Sequence, residues 1–309
     1  MDKMIVTESD QNSPDNFRCG FAAIIGRPNV GKSTLMNRIL GQKISITSRR
    51  PQTTRHRIHG IDTTTECQVI YVDTPGLHKP GGKAMNRYLN QAATTALQGV
   101  DVVLFVVAGT KWTDEDELVL ERVRHGGAPV ILVVNQIDRL QPEQLLPHLA
   151  KVSQRMEFHT VIPLSAKSGE SVDLLEAEVA KLMPYGPAQF PEDQITDRSM
   201  RFLAAEIVRE KLTRQLGQEL PYEMTVEIES YEIGDGIVNI AALIWVERDG
   251  QKAIVIGKGG QGLKKVGQEA RQDLENILEQ KVFLQLWVKV KEGWSADERA
   301  LRSLGYTDE

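Results

Sequence analysis

The chain has 309 residues, enough for two domains at roughly 150 residues each. Hydrophobic residues at 41% and charged residues at 26% can build a core in each, which excludes a disordered or fibrous chain for most of the length. The net charge of -5 excludes nucleic-acid binding by bulk charge and leaves it to a local basic patch, and the apolar runs at 102–108 and 128–134 fall far short of the ~20 residues of a membrane-spanning helix.

Residues 1–17 are polar, lack the basic start and apolar core of an export signal, and read as a loose tail. The two cysteines, Cys19 and Cys67, fit a reducing compartment, and no histidine stands at zinc-like spacing from another ligand. From 18 to 183, short β-branched runs (21–25, 68–72, 102–107, 130–134, 160–163) alternate with amphipathic stretches (32–40, 115–124, 143–154, 172–182). That rhythm predicts an α/β domain with a mostly parallel sheet and helices on both faces. Pro184, Gly186, Pro187 and Pro191 mark a linker over 184–197, because proline removes backbone donors and stops helices. Beyond it, a helix at 198–216, strands at 225–229, 238–246 and 282–290, and a glycine-rich turn leading into another helix predict a small α+β domain over 198–309.

Gly26-Arg27-Pro28-Asn29-Val30-Gly31-Lys32-Ser33 matches G-x-x-x-x-G-K-[ST] between an apolar strand and a helix, the context the motif requires. The glycines let the loop wrap a triphosphate in main-chain N–H groups, and the helix start adds a favourable field for the anion. Gly26, Asn29, Val30, Gly31, Lys32, Ser33 and Thr34 are therefore candidate nucleotide-binding residues, with Lys32 on the β and γ phosphates and Ser33 on Mg²⁺. Asp73-Thr74-Pro75-Gly76 follows a strand, which places Asp73 to hold the Mg²⁺ shell through water and the Gly76 N–H near a γ phosphate. Asn135-Gln136-Ile137-Asp138 ends another strand, and the Asp138 carboxylate can accept from two donors that guanine has and adenine lacks. Ser165-Ala166-Lys167 can bring a backbone N–H to the guanine O6, or form a plain N-cap turn.

These four segments, in this order, resemble the GTPase superfamily of phosphate-loop proteins. The resemblance implies GTP and GDP as ligands with Mg²⁺, and a metal-ligating threonine in a switch loop between the first helix and the strand at 68. Thr54 in Ser48-Arg49-Arg50-Pro51-Gln52-Thr53-Thr54-Arg55 matches best, with Thr53 as the alternative. The metal ligands are then Ser33 and Thr54, and the catalytic set is Lys32, Thr54 and Gly76. The loop arginines are either a solvated surface or an RNA contact. Gln136 stands where the family carries lysine in N-K-x-D, whose stem packs on the base and steadies the phosphate loop, so weaker nucleotide binding is expected. Leu77 stands where Ras-like proteins carry a water-orienting glutamine, and an apolar side chain cannot polarise water, so slow unassisted hydrolysis is expected. Asn29 is either the holder of a K⁺ ion, as in related GTPases, or an ordinary turn asparagine.

Gly257-Lys258-Gly259-Gly260 forms a G-x-x-G turn between two helical segments, with Lys264 and Lys265 close behind. Such a turn lets an RNA backbone approach main-chain N–H groups, which makes these six residues candidate RNA ligands. A second phosphate site or a plain helical corner is the alternative. The order helix, strand, strand, helix, turn, helix, strand resembles a type II KH fold, and an RRM is disfavoured because no exposed aromatics are expected on these strands. With Pro-Gln-Thr-Thr-Arg-His-Arg at 51–57 and Leu286-Trp287-Val288-Lys289-Val290-Lys291, nearly the whole chain closely resembles the Era family of GTPases. The resemblance implies a monomeric, cytoplasmic GTPase that binds the 3′ end of small-subunit ribosomal RNA during 30S assembly, with peripheral contact at the inner membrane. An RNA-binding scaffold whose nucleotide site does not turn over is the alternative.

Overall fold

Alternating apolar runs and amphipathic helices build the first half of the chain. Its elements are β1 (Arg18–Ile25), α1 (Lys32–Ile39), β2 (Ile58–Thr63), β3 (Cys67–Asp73), α2 (Ala84–Thr95), β4 (Val102–Ala108), α3 (Asp114–Arg124), β5 (Val130–Asn135), α4 (Pro142–Ser153), β6 (Thr160–Pro163) and α5 (Val172–Leu182). The second half contains α6 (Met200–Gln215), β7 (Met224–Ile233), β8 (Ile237–Val246), α7 (Asp249–Ile256), α8 (Gln261–Leu278), β9 (Lys281–Val290) and α9 (Glu298–Ser303). The structure is a computed structural model that describes residues 16–48, 50, 53–76, 84–109, 111–217, 220–303 and 306. Most of the expected tail at 1–17, together with Leu77, Arg49, Pro51 and Gln52, lies outside the described residues.

The first sheet runs β2-β3-β1-β4-β5-β6 and is parallel except for β2, which pairs antiparallel with β3. β4 and β5 are buried along their whole length, as strands covered on both faces must be. Leu35, Met36 and Leu175 pack on one face with Ile24 and Leu104, while Val119, Leu120 and Val152 pack on the other with Ile25 and Phe105. Thr113 starts α3 through a reciprocal box with Asp116, and acidic residues crowd its first turn, where the helix field favours them. Every strand that leads into the nucleotide motifs therefore ends at one edge of the sheet.

The second sheet runs β7-β8-β9, with β8 and β9 parallel. Its inner face, including Val282, Leu284, Leu286 and Val288, packs on α6 and α8. The outward positions of β9 correct one expectation: Phe283 and Trp287 are 50% and 43% exposed, so these strands do display aromatics. Lysine and glutamine alternate with them at 281, 285 and 289, and in the sequence that polarity hides the exposed rings.

Residues 184–197 do not hang free. Gln68 accepts from the Gln189 and Phe190 N–H groups and donates to the Phe190 carbonyl, and the Ile61 N–H donates to the Ile195 carbonyl at 2.9 Å. The segment thus runs along the sheet beside β2. Farther on, Trp294, Leu301 and Tyr306 pack with Ala84, Met85 and Leu89 of α2, and the Tyr306 ring stacks on His56 with centroids 4.6 Å apart.

Burial pushes the His56 imidazole down to about 4, with Glu206 opposing and Arg209, Arg198 and Arg55 adding to the effect. A histidine that binds its proton less tightly when folded contributes stability that is full above its unfolded pKa and is lost as pH falls toward the folded one. Unfolding free energy should therefore drop by about 1.4 kcal/mol per pH unit from this group between about pH 6 and 4. Denaturant titrations at pH 7, 6 and 5 check this, and His56→Phe, which keeps the stacking, should show a flatter profile.

Candidate functional site

The phosphate loop follows β1 and turns into α1 at Gly31, whose φ of +101° is open only to glycine at low cost. A Cβ there would also stand 2.3 Å from Asn135 Nδ2. That close approach lets Asn135 act as a staple. Its Nδ2 donates to the Val30 carbonyl at 2.7 Å, and its Oδ1 accepts from the Gln136 and Ala166 N–H groups at 2.7 and 3.0 Å. One buried amide thus ties together three of the four nucleotide segments.

Asp73, at the end of β3, is fully buried. One carboxylate oxygen accepts from the Ser33 and Ser45 hydroxyls at 2.8 and 2.7 Å, and Ser33 Oγ lies 2.9 Å from Thr54 Oγ1. The other carboxylate oxygen has no hydrogen-bond partner by strict geometry among the described residues. An orphaned carboxylate oxygen beside two hydroxyls is a hard-oxygen donor set, which fits Mg²⁺. Burial raises the Asp73 carboxyl, against the pull of Lys32 and of its hydrogen bonds to Ser45 and Ser33. Thr53, the alternative switch threonine, turns instead to the Arg50 carbonyl at 2.7 Å.

Lys32 donates to the Gly26 and Arg27 carbonyls at 2.9 and 3.0 Å. A cavity of about 1090 Å³ opens beside it, lined by Asn29, Thr34, Thr54, Gly76, Gln136 and Arg214 among others. A smaller recess of about 150 Å³ adjoins it between Gln136, Asp138, Ala166 and Lys167. Gly76 faces the phosphate loop so closely that a Cβ would stand 3.0 Å from Pro28. Ser165 Oγ donates to Asp138 at 2.8 Å and orients the carboxylate. The Ala166 N–H is already bonded to Asn135, so a base oxygen would have to share that donor.

Gln136 adopts a left-handed backbone (φ +69°), and its amide donates to the Asn29 carbonyl at 3.1 Å. It therefore still ties the base segment to the phosphate loop, the bracing that the expected lysine would supply. Asn29 itself sits at φ +64°, which gives the asparagine a conformational reason to be there.

In the second half, Gly257, Gly259 and Gly260 all have positive φ, and a Cβ on Gly257 would stand 2.9 Å from the Gly262 nitrogen. The turn delivers the chain into α8, whose first turn carries no side-chain cap and no acidic residue, although the Gln261 N–H already donates to the Lys258 carbonyl. Lys258, Lys264 and Lys265 are exposed around it, with Lys265 3.9 Å from Glu269.

Several residues that serve the site carry no signal in the sequence. Ser45 joins Asp73, Arg38 donates to the Ala166 and Lys167 carbonyls, and Asn37 accepts from the Ile44 and Ser45 N–H groups. All three are common surface types whose role appears only when the loops meet.

The fold and the site define a phosphate-loop GTPase joined to a KH domain. A family model described as 50S ribosome-binding GTPase matches residues 21–136, and a KH-domain model matches 219–295. GTPase Era of Pseudomonas aeruginosa is 58% identical over 304 residues, covering 98% of this chain and all of the relative. GTPase Era of Pseudomonas putida is 59% identical over 292 residues, covering 94% of this chain and 97% of the relative. Among solved structures, an Aquifex aeolicus Era variant bound to GDP·AlF4⁻ superposes with a TM-score of 0.91 at 39% identity, over 94% of this chain and all of that one. An Era complex with MgGDPNP and nucleotides 1506–1542 of 16S ribosomal RNA also gives 0.91 at 39% identity, over 94% of this chain and 99% of that one. The chain belongs to the Era family. It is a GTPase that uses GTP, GDP and Mg²⁺, and the non-hydrolysing scaffold is set aside.

Burial pushes the Lys32 ammonium down to about 8, opposed by Asp73. A triphosphate needs the charged form and will raise that value on binding. GTP affinity should therefore be full below about pH 8 and fall by up to tenfold per unit above it. Titrating a fluorescent GTP analogue from pH 7 to 9 checks this. Lys32→Arg should remove the dependence, and a variant that keeps it would exclude Lys32 as the titrating group.

Proposed function

We propose that this GTPase uses its nucleotide state to control how its KH domain holds the 3′ end of small-subunit ribosomal RNA, and that it acts in 30S subunit assembly. The observation that carries this reading is the likeness, over 94% of the chain, to an Era structure holding both a GTP analogue with Mg²⁺ and a 16S ribosomal RNA fragment. The division into a GTPase domain at 18–183, a linker at 184–197 and a KH domain at 198–309 is supported by cores that draw mostly on one side or the other, with Leu203 packing in the first-half core and Trp294, Leu301 and Tyr306 packing on α2.

In this reading Lys32 and the N–H groups of the loop from Gly26 to Thr34 hold the phosphates. Ser33 and Thr54 hold Mg²⁺, which offsets charge on the β and γ oxygens, and Asp73 acts through water. Gly76 directs its N–H at the γ phosphate. Asn135, Gln136, Asp138 and the 165–167 turn hold the guanine, and Asn29 is the residue placed for a K⁺ ion. Gly257, Lys258, Gly259, Gly260, Lys264 and Lys265 grip the RNA backbone. A monomeric state, a cytoplasmic location and peripheral inner-membrane contact complete the reading on family resemblance alone. Among the described residues no helix is long and apolar enough to cross a membrane.

Base choice is tested by Asp138→Asn, which exchanges an acceptor for a donor and should turn preference from GTP toward XTP. Competition binding measures it, and an unchanged preference for GTP would remove Asp138 from base reading. RNA control is tested by titrating a 3′-end oligoribonucleotide against the GTP-analogue and GDP forms at one salt concentration. Affinity should be about 5-fold or more higher in the GTP form, the lower edge of typical coupling between sites. Replacing Lys258 and Gly259 with aspartate should abolish RNA binding while GTP affinity persists.

A further inference from the structure

Helix α6 packs in the second core through Ala204, Ile207, Val208 and Leu212. Its other face carries buried charge aimed at the switch loop of the first half. Glu210, fully buried, accepts from the Thr47 N–H at 2.8 Å, from Lys43 at 2.5 Å and from Arg214 at 3.0 Å. Arg214 also donates to the Thr47 carbonyl and hydroxyl, both at 3.0 Å. Arg209, locked to Glu206 by hydrogen bonds of 2.7 and 2.6 Å, donates to the Thr53 carbonyl. The switch loop is thus gripped at Thr47 and again at Thr53, next to Thr54, and Thr213 and Arg214 line the nucleotide cavity itself.

The same helix holds the RNA turn. Gln215 donates to the Gly262 carbonyl in the first turn of α8 at 3.1 Å, and Lys211 meets Asp273 of α8 at 2.5 Å. Lys43, ahead of the switch loop, reaches that same Asp273 oxygen at 2.6 Å.

We propose that α6 is a positioning element shared by both sites. Glu210 and Arg214, through Thr47, and Arg209, through Thr53, hold the switch loop where Thr54 meets Ser33, so the second domain sets the rate of GTP turnover. This deepens the reading of the chain as a GTPase whose nucleotide state controls RNA binding, and rests on it. GDP lacks the γ phosphate around which the switch loop closes, so loosening the grip affects turnover and leaves GDP binding in place. RNA at the G-x-x-G turn acts on the same helix, and linkage makes the effect mutual for binding.

The test uses the full chain with Glu210→Gln, Arg214→Met, Arg214→Lys and Lys43→Met. Single-turnover GTP hydrolysis and GDP affinity are measured with and without an oligoribonucleotide of the small-subunit 3′ end. Glu210→Gln and Arg214→Met are expected to slow hydrolysis by about 5-fold or more, with GDP affinity in Glu210→Gln staying within about twofold, on the scale of coupling between sites. Arg214→Lys, which keeps a donor, should recover part of the rate, and Lys43→Met should diminish the response of turnover to RNA. The Arg214 side chain is 45% exposed, so Arg214→Met remains informative if Glu210→Gln does not fold. Wild-type hydrolysis in Arg214→Met overturns the proposal, and so does a loss of GDP affinity in Glu210→Gln equal to its loss of rate. Equal RNA affinity in the GTP-analogue and GDP forms of the wild-type chain would overturn the underlying reading, and the proposal with it.

Discussion

The arrangement of the nucleotide site depends on one buried carboxylate. Asp73 is held at the end of β3 with no exposure, and a carboxylate removed from water must find donors or become protonated. It finds Ser33 from the phosphate loop and Ser45 from the segment leading to the switch, and Ser33 in turn meets Thr54. Three chain segments distant in sequence are thereby drawn to one point. The remaining carboxylate oxygen has no side-chain donor among the described residues, and it is a hard oxygen of the kind Mg²⁺ takes.

Asn135 plays the matching role on the base side. Its amide joins the phosphate loop, the 135–138 segment and the 165–167 turn, which ties the smaller recess to the phosphate loop. Gln136 adds a second tie to the Asn29 carbonyl. An amide can replace the hydrogen-bonding part of the lysine this family carries there, though not its long apolar stem. The departure from N-K-x-D therefore leaves the bracing of the phosphate loop in place.

The parts legible in the sequence are those where a local pattern carries a global consequence. Continuous apolar runs such as 102–108 and 130–134 have one stable home, a doubly covered strand, and G-x-x-x-x-G-K-S at a strand-to-helix junction has one chemistry. β2 was missed because Ile-His-Gly-Ile-Asp-Thr is short and half polar, and its strand state comes from pairing with β3. The helix α2 was missed too, because its apolar face is defined by Trp294, Leu301 and Tyr306, some two hundred positions later. The prolines at 184–191 fall where secondary structure is interrupted between α5 and α6. They gave no hint that the segment would lie bonded along the sheet, since that depends on the Gln68 amide.

The contact between α6 and the switch loop was least legible of all, and the reason is physical. A charged run such as Arg209, Glu210 and Lys211 on a helix normally faces solvent, whereas here all three are buried, Arg209 and Glu210 against the switch loop of the first half and Lys211 against Asp273 of α8. Ion pairs removed from water contribute little net stability, because desolvation offsets most of the attraction, but removing one partner is costly and the geometry is demanding. An apolar interface of the same size would be less selective about register, since burial is roughly proportional to area and not to direction. A charged one tolerates few relative positions of the two halves. That trade of stability for positional definition suits an interface that must change when the switch loop changes, because the cost of leaving one set of partners is recovered only at another defined set.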